Sequence, residues 1–238
     1  MFRKTIILLD KTVDRIVLII SLIFFLICIY AMIDAAMVYY NANDTSVLKY
    51  KPTLADTSSL QEMSKDAVAW LTVDDTRIDY PVMQGKDNSE YLNKDPYGKY
   101  SLSGSIFLDS RCSGDFSGDY SLIYGHHMEY GAMFGSLDEF AKPDYLDAHR
   151  TGTLITVGGK VYHIDFFACT KAQATEPVVF DPPESTNEAL LSFLEANAPV
   201  YEAPKGGAET QIIALSTCQS AETIERMIVF GTLTEINQ

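Results

Sequence analysis

The stretch IIALSTCQSAETIERMIVFG, residues 212–231, decides how this chain is read. An apolar run ends at one cysteine, Cys218. Eight residues later one arginine, Arg226, opens a second apolar run. Two short apolar runs flanking a polar connection read as antiparallel strands. Such a connection brings the end of the first strand and the start of the second to the same end of a sheet. The polar pair Ser216-Thr217 precedes the thiol, so Cys218 stands at a strand mouth, and the polar QSAETIER segment behind it is expected to leave it accessible. Read singly, each residue has an ordinary explanation. A lone cysteine is most often a buried packing residue, and a lone arginine at a strand start is most often a solvated charge. Together they place a nucleophile beside a cation able to hydrogen-bond an oxyanion.

Working outward, SGSIFLDS, YSLIYGHH, GTLITVGGKVYHIDFFAC, QIIALSTC and RMIVFGTL are further strand-like runs. Gly158-Gly159 between TLITV and KVYHIDFFA is a hairpin signal. In AWLTVDDTRIDYPVMQ the pair Asp74-Asp75 breaks two apolar runs and reads as another hairpin. SLQEMSKDAVAWL reads as a helix with Leu60, Met63, Ala67 and Trp70 on one face. STNEALLSFLEANA reads as a second helix, with Ser185 and Glu188 as a capping box. No sustained strand–helix alternation is present. Many short strands with a few inserted helices predict a mainly β protein built on a closed barrel.

The N-terminus has a different character. Residues 16–33, IVLIISLIFFLICIYAMI, carry no charge. A helix of that length with its flanks spans the ~30 Å hydrocarbon core of a bilayer. Arg3, Lys4, Lys11 and Arg15 precede it, which predicts a cytoplasmic N-terminus and an extracytoplasmic remainder. The run is longer than the apolar region of a signal peptide, and Asp34-Ala35-Ala36 makes a poor cleavage site, so an uncleaved anchor is expected. The expected organisation is a cytoplasmic tail over 1–15, a transmembrane anchor over 16–33, a polar stalk over 34–58 and a catalytic domain over 59–238.

The first 33 residues hold four basic and two acidic residues. Of the chain's 18 basic and 32 acidic residues, 14 and 30 therefore lie beyond them, a net charge of −16. That balance argues against a nucleic-acid partner, which needs a basic face. Three cysteines lie beyond the anchor, Cys112, Cys169 and Cys218, and an odd number leaves at least one thiol free. Among the histidines, His163 sits in a strand and His149 in a polar turn. His126 and His127 follow a strand directly, after Gly125, which is expected to turn sharply and aim the next side chain into a cleft. The histidine pair lacks a third ligand at metal spacing, and Asp109, Asp115 and Asp119 lack EF-hand spacing and read as a solvated loop, so neither metal nor cofactor is expected.

LSTC followed by an arginine that opens the next strand, with YGHHM upstream, resembles the sortases, membrane-anchored cysteine transpeptidases of Gram-positive cell walls. The resemblance is strongest with class B. It extends through WLTVDDTRIDYPVMQ, DNSEYLNKDPYGKYS, GSIFLDSR and MFGSL, from about Trp70 to Leu233. Two positions depart from the family pattern: Ala214 stands where the nucleophile motif has its leading Thr, and His127 stands where the histidine motif has Asn.

The resemblance implies an eight-stranded sortase-type barrel with helices before it and one between late strands. It implies Cys218 as nucleophile, His126 as general acid/base by motif position, and Arg226 as oxyanion stabiliser. Ser216, Thr217, Asn88 and Leu92 are implied to line the groove for the substrate. The implied reaction cleaves a sorting signal on a secreted protein after Thr, through a thioester. The protein is then transferred to an amine of a peptidoglycan precursor or a pilin. A papain-type amidase would place its Cys before its His, opposite to the order here. The alternative from another class is a non-catalytic, anchored β-domain that binds a ligand.

Overall fold

The computed structural model describes residues 2–42, 45–53, 56–218 and 225–236. The QSAETIER stretch expected to expose the thiol covers residues 219–226, and all but its last two residues lie outside the described residues. The chain divides into two compact units, residues 1–41 and 42–238. The first is a helix, α1 (Phe2–Ala42), long and apolar enough to cross a membrane. It runs without interruption through the apolar segment and beyond both of its ends.

Among the described residues the second unit is built on nine strands: β1 (Ala67–Val73), β2 (Asp79–Met83), β3 (Ile106–Leu108), β4 (Tyr120–Gly125), β5 (Thr151–Thr156), β6 (Val161–Gln173), β7 (Val200–Tyr201), β8 (Gln211–Thr217) and β9 (Glu225–Glu235). They hydrogen-bond in the order β5-β1-β2-β3-β4-β8-β9-β6-β7, and β5 also pairs with β6. That last pairing closes eight strands into a barrel. β7 is a two-residue addition on β6. Two pairings are parallel, β2 with β3 and β4 with β8, and the rest are antiparallel. Both expected hairpins form: β1 and β2 around Asp74-Asp75, and β5 and β6 around Gly158-Gly159, with Gly159 at φ 86°.

The helices before and between the strands are α2 (Ser58–Met63), α3 (Pro143–Ala148), α4 (Pro177–Phe180) and α5 (Asn187–Asn197). The helix expected over SLQEMSKDAVAWL stops at Met63, and Ala67 and Trp70 belong to β1. The reason is burial on both faces. Ala69, Leu71 and Val73 enter one hydrophobic cluster, while Ala67 and Trp70 join Leu60 and Met63 in the other. A strand buried on both sides loses its alternation and mimics a helical face. α5 forms where expected, but its cap is Thr186, whose Oγ1 accepts from the Ala189 N–H at 3.2 Å. Ser185 instead donates to the carbonyls of Val178 and Asp181 at the end of α4.

Residues ahead of α2 are also tied to the barrel. Val47 is buried in the cluster of Leu60 and Trp70. Lys51 pairs with Asp79 at 2.7 Å, and the same carboxylate accepts from Trp70 Nε1 at 2.7 Å and Thr72 Oγ1 at 2.9 Å.

Candidate active site

The parallel pairing of β4 with β8 builds the site. Its register runs from Tyr120 opposite Ile212 to Gly125 opposite Thr217. The next backbone hydrogen bond, Cys218 N–H to Gly125 O at 2.8 Å, carries the pairing one step past the strand ends. His126 and Cys218 therefore leave the same end of two adjacent strands. β8 and β9 supply the third side chain. Their register ends at Ser216 opposite Ile228, and extending it by two sets Cys218 across from Arg226. Met227 N–H to Thr217 Oγ1 at 3.0 Å holds the strands together at the intermediate position.

Each of the three side chains has a distinct setting. His126 Nε2 lies 2.8 Å from the carbonyl of Leu92. A carbonyl only accepts, so Nε2 carries the proton and Nδ1 keeps its lone pair. Gly104 makes this contact possible. At φ +59° it lies so close that a Cβ there would stand 2.5 Å from Leu92 O and 3.0 Å from His126 Cδ2. Gly125 has no left-handed turn, contrary to expectation. It is glycine for space, because a Cβ would meet Ile106 and Phe134 at 2.4 and 2.7 Å.

The Arg226 guanidinium lies between two rings, 4.9 Å from the centroid of Phe180 and 5.5 Å from that of Tyr124. These faces attract the cation and fix its plane. Its Nε is buried and has no hydrogen-bond partner among the described residues. Burial pushes the Cys218 thiol up to about 12, with Arg226 pulling the other way. The resting residue is a thiol, and it needs a base and a cation to act as a thiolate.

Both rings are anchored by a network that the sequence did not reveal. Asp109, read as part of a solvated loop, is 0% exposed. Its carboxylate accepts from Arg111 N, Nε and Nη2, from Asn88 Nδ2 at 2.8 Å and from Tyr124 OH at 3.1 Å. Arg111 also donates to the carbonyl of Phe180 at 2.6 Å and to Asp181 at 2.8 Å. Burial would raise the Asp109 carboxyl, but the hydrogen bonds and charge of Arg111 outweigh it and hold it below its usual value. The solvated reading survives for Asp115, which is exposed and caps Ser113 and Ser117.

The four residues implied to contact substrate are distributed differently. Thr217 borders an open cavity with Cys218. Ser216 is 0% exposed and donates to the Thr217 carbonyl. Asn88 is held by Asp109 and by the Ser110 N–H at 2.7 Å. Leu92 reaches the site through its backbone carbonyl on His126. Ala214 is fully buried between Leu122 and Phe230, its strand neighbours, in an apolar cluster. Cys28, Cys112, Cys169 and Cys218 are all unpaired. Cys169 packs against Met227, and burial raises the thiols of Cys112 and Cys169, to about 11 and about 12.

Residues 71–234 match the sortase domain. The chain belongs to the sortase family. Sortase B of Listeria monocytogenes is 35% identical over 178 residues, covering 73% of this chain and 72% of that protein. Sortase B of Staphylococcus aureus is 27% identical over 183 residues, 75% of each chain. Among solved structures, a Streptococcus pyogenes class B sortase involved in pilus biogenesis superposes with a TM-score of 0.68 at 38% identity, covering 74% of this chain and 97% of that one. This is thus a class B sortase, a cysteine transpeptidase, on the eight-stranded barrel its family uses. In this sortase Cys218, His126 and Arg226 stand at one end of the sheet because one parallel and one antiparallel pairing meet on β8.

Proposed function

We propose that this sortase cleaves a C-terminal sorting signal after Thr on a secreted protein and transfers that protein to an amine. Cys218 Sγ attacks the Thr carbonyl, with its proton passing to His126 Nδ1. Arg226 donates to the oxyanion as it forms. The imidazolium of His126 protonates the departing amine, and a thioester to Cys218 remains. An amino group of a peptidoglycan precursor or of a pilin then takes the acyl group. The involvement of the Streptococcus pyogenes relative in pilus biogenesis makes the pilin amine a concrete option. Ser216, Thr217, Asn88 and Leu92 are assigned to the groove that holds the signal, by their positions in the family pattern.

The observation that carries this reading is the buried Arg226 Nε, a donor without an acceptor among the described residues, on a residue that the β8–β9 register, extended by two, sets across from Cys218. A buried donor costs about 1–3 kcal/mol when unpaired, so its setting suits an acceptor that arrives with substrate. We place residues 1–15 in the cytoplasm, 16–33 across the membrane, and the stalk 34–58 and catalytic region 59–238 outside. The basic residues before the apolar run support that orientation.

The test is a panel of fluorogenic sorting peptides of Asn-Pro-x-Thr and Pro-x-Thr-Gly type, offered to the chain and to its Cys218→Ala variant, with and without an amine. Cleavage after Thr that depends on Cys218, with the product joined to the amine, is expected. Cleavage that persists in Cys218→Ala contradicts the assignment.

A further inference from the structure

We propose that the cavity beside Cys218 is the entry site for the acceptor amine, and that His127 is the base that deprotonates it. This rests on the reading above that an amine resolves the acyl-enzyme. The cavity has a volume of about 270 Å³, and its wall includes Cys218, Thr217, His127, Asp138, Glu225 and Lys171. His126 is not part of that wall. Consecutive residues in extended chain point to opposite sides, and the two imidazoles have different partners, Leu92 O for His126 and Asp138 for His127. The pair is held from behind by the Phe134 N–H on His126 O at 3.0 Å and by the bridge of His127 with Met133.

His127 has the form of an oriented base. Its Nε2 lies 2.7 Å from Asp138 Oδ2. With the carboxylate accepting, Nε2 carries the proton and Nδ1 offers the lone pair. A carboxylate that fixes the tautomer and orientation of an imidazole beside a nucleophilic residue is the arrangement by which protein nucleophiles obtain a base. A contact this exposed, 45% and 50%, contributes little to stability, so its value lies in where it points. Among the described residues the ionisable wall has two carboxylates, Asp138 and Glu225, against one ammonium, Lys171. That balance draws in a primary ammonium and repels a carboxylate.

Such an ammonium must lose a proton to become a nucleophile. His127 Nδ1 takes that proton as the ammonium enters and releases it to water. The neutral amine nitrogen then attacks the thioester carbonyl, forming the N–C bond, and the negative charge on oxygen rests on Arg226. Collapse of the adduct breaks the C–S bond, sulfur leaves with the electron pair, and a second proton passes from nitrogen to sulfur. The sum is an amide, a free thiol and one proton from a thioester and an ammonium.

The test uses the full chain in detergent micelles with a sorting peptide that it cleaves. Two probe amines, triglycine and Nα-acetyl-lysine amide, are compared with hydroxylamine, which is already unprotonated at neutral pH and needs no base. The His127→Asn variant is expected to form amide product with triglycine or the lysine probe about 100-fold more slowly, with hydroxamate formation rescued to within about threefold of the parent rate. Asp138→Asn is expected to follow with a smaller loss in the same direction. Equal losses with amines and hydroxylamine, or no loss with either, would overturn the assignment of His127. A parent chain that forms hydroxamate but neither amide would overturn the amine entry site. A parent chain that forms no acyl product at all would instead overturn the thioester reading beneath it.

Discussion

Replacing Asp109 by Ala is expected to damage stability and catalysis together. Its carboxylate collects donors from Arg111, Asn88 and Tyr124 at full burial. Removing one partner of a buried charge pair costs about 3–5 kcal/mol. Arg111 is 41% exposed and can turn to water, so the lower end, ~3 kcal/mol, is the better figure here. For a domain of this size that corresponds to a fall in Tm of roughly 6–12 °C. Trp70 is the sole tryptophan, buried in β1, so its fluorescence reports unfolding of the barrel rather than of α1. Catalysis suffers because Tyr124 loses its anchor, and the Arg111 that steadies Phe180 loses its counter-charge, so both rings flanking Arg226 loosen. A full loss of one oxyanion donor costs about 10²–10³ in kcat, and a misplaced one is expected to cost less, about 10-fold. Asp109→Asn, which keeps the shape and loses the charge, is expected to fall between the parent and Asp109→Ala. A Tm within 2 °C of the parent, with unchanged kcat/KM, would refute the reasoning for Asp109→Ala.

Two further outcomes follow from the geometry. Arg226→Ala removes the charge that lowers the Cys218 thiol, so its pKa rises further from the ordinary value. Alkylation of Cys218 by iodoacetamide, followed by peptide mapping, should then be slower than in the parent at every alkaline pH, and an equal or faster rate would contradict it. Gly104→Ala forces a Cβ against Leu92 O and His126 at a left-handed φ. A loss of about 10–100-fold in cleavage rate is expected from displacement of the general acid, and full activity would show that the His126–Leu92 contact is not needed.

The sequence made some of this architecture legible and hid the rest for physical reasons. The antiparallel relation of β8 and β9 was readable because both strands and their connection lie within 20-odd residues, and it brought Cys218 and Arg226 together. The hairpin at Gly158-Gly159 and the helix over STNEALLSFLEANA were local in the same way. The parallel pairing of β4 with β8 joins segments about 90 residues apart. No spacing rule could have set His126 beside Cys218, and only the family resemblance pointed there. The helix drawn over Ala67 and Trp70 failed because β1 is buried on both faces. Asp109 was misread because its partners, Asn88, Arg111 and Tyr124, look like ordinary polar residues until the fold gathers them. The spacing Asp109-x-Arg111 was the available signal, since a carboxylate and a guanidinium just after a strand are poised to pair.

The central claim is a thioester at Cys218, and mass spectrometry of the intact chain tests it most directly. The chain is mixed with a cleavable sorting peptide without any amine and quenched in acid within seconds. The account predicts a mass gain equal to the peptide through its Thr, located on Cys218, removed by hydroxylamine and missing in Cys218→Ala. Cleavage of the peptide with no adduct, or an adduct that forms equally in Cys218→Ala, would contradict it.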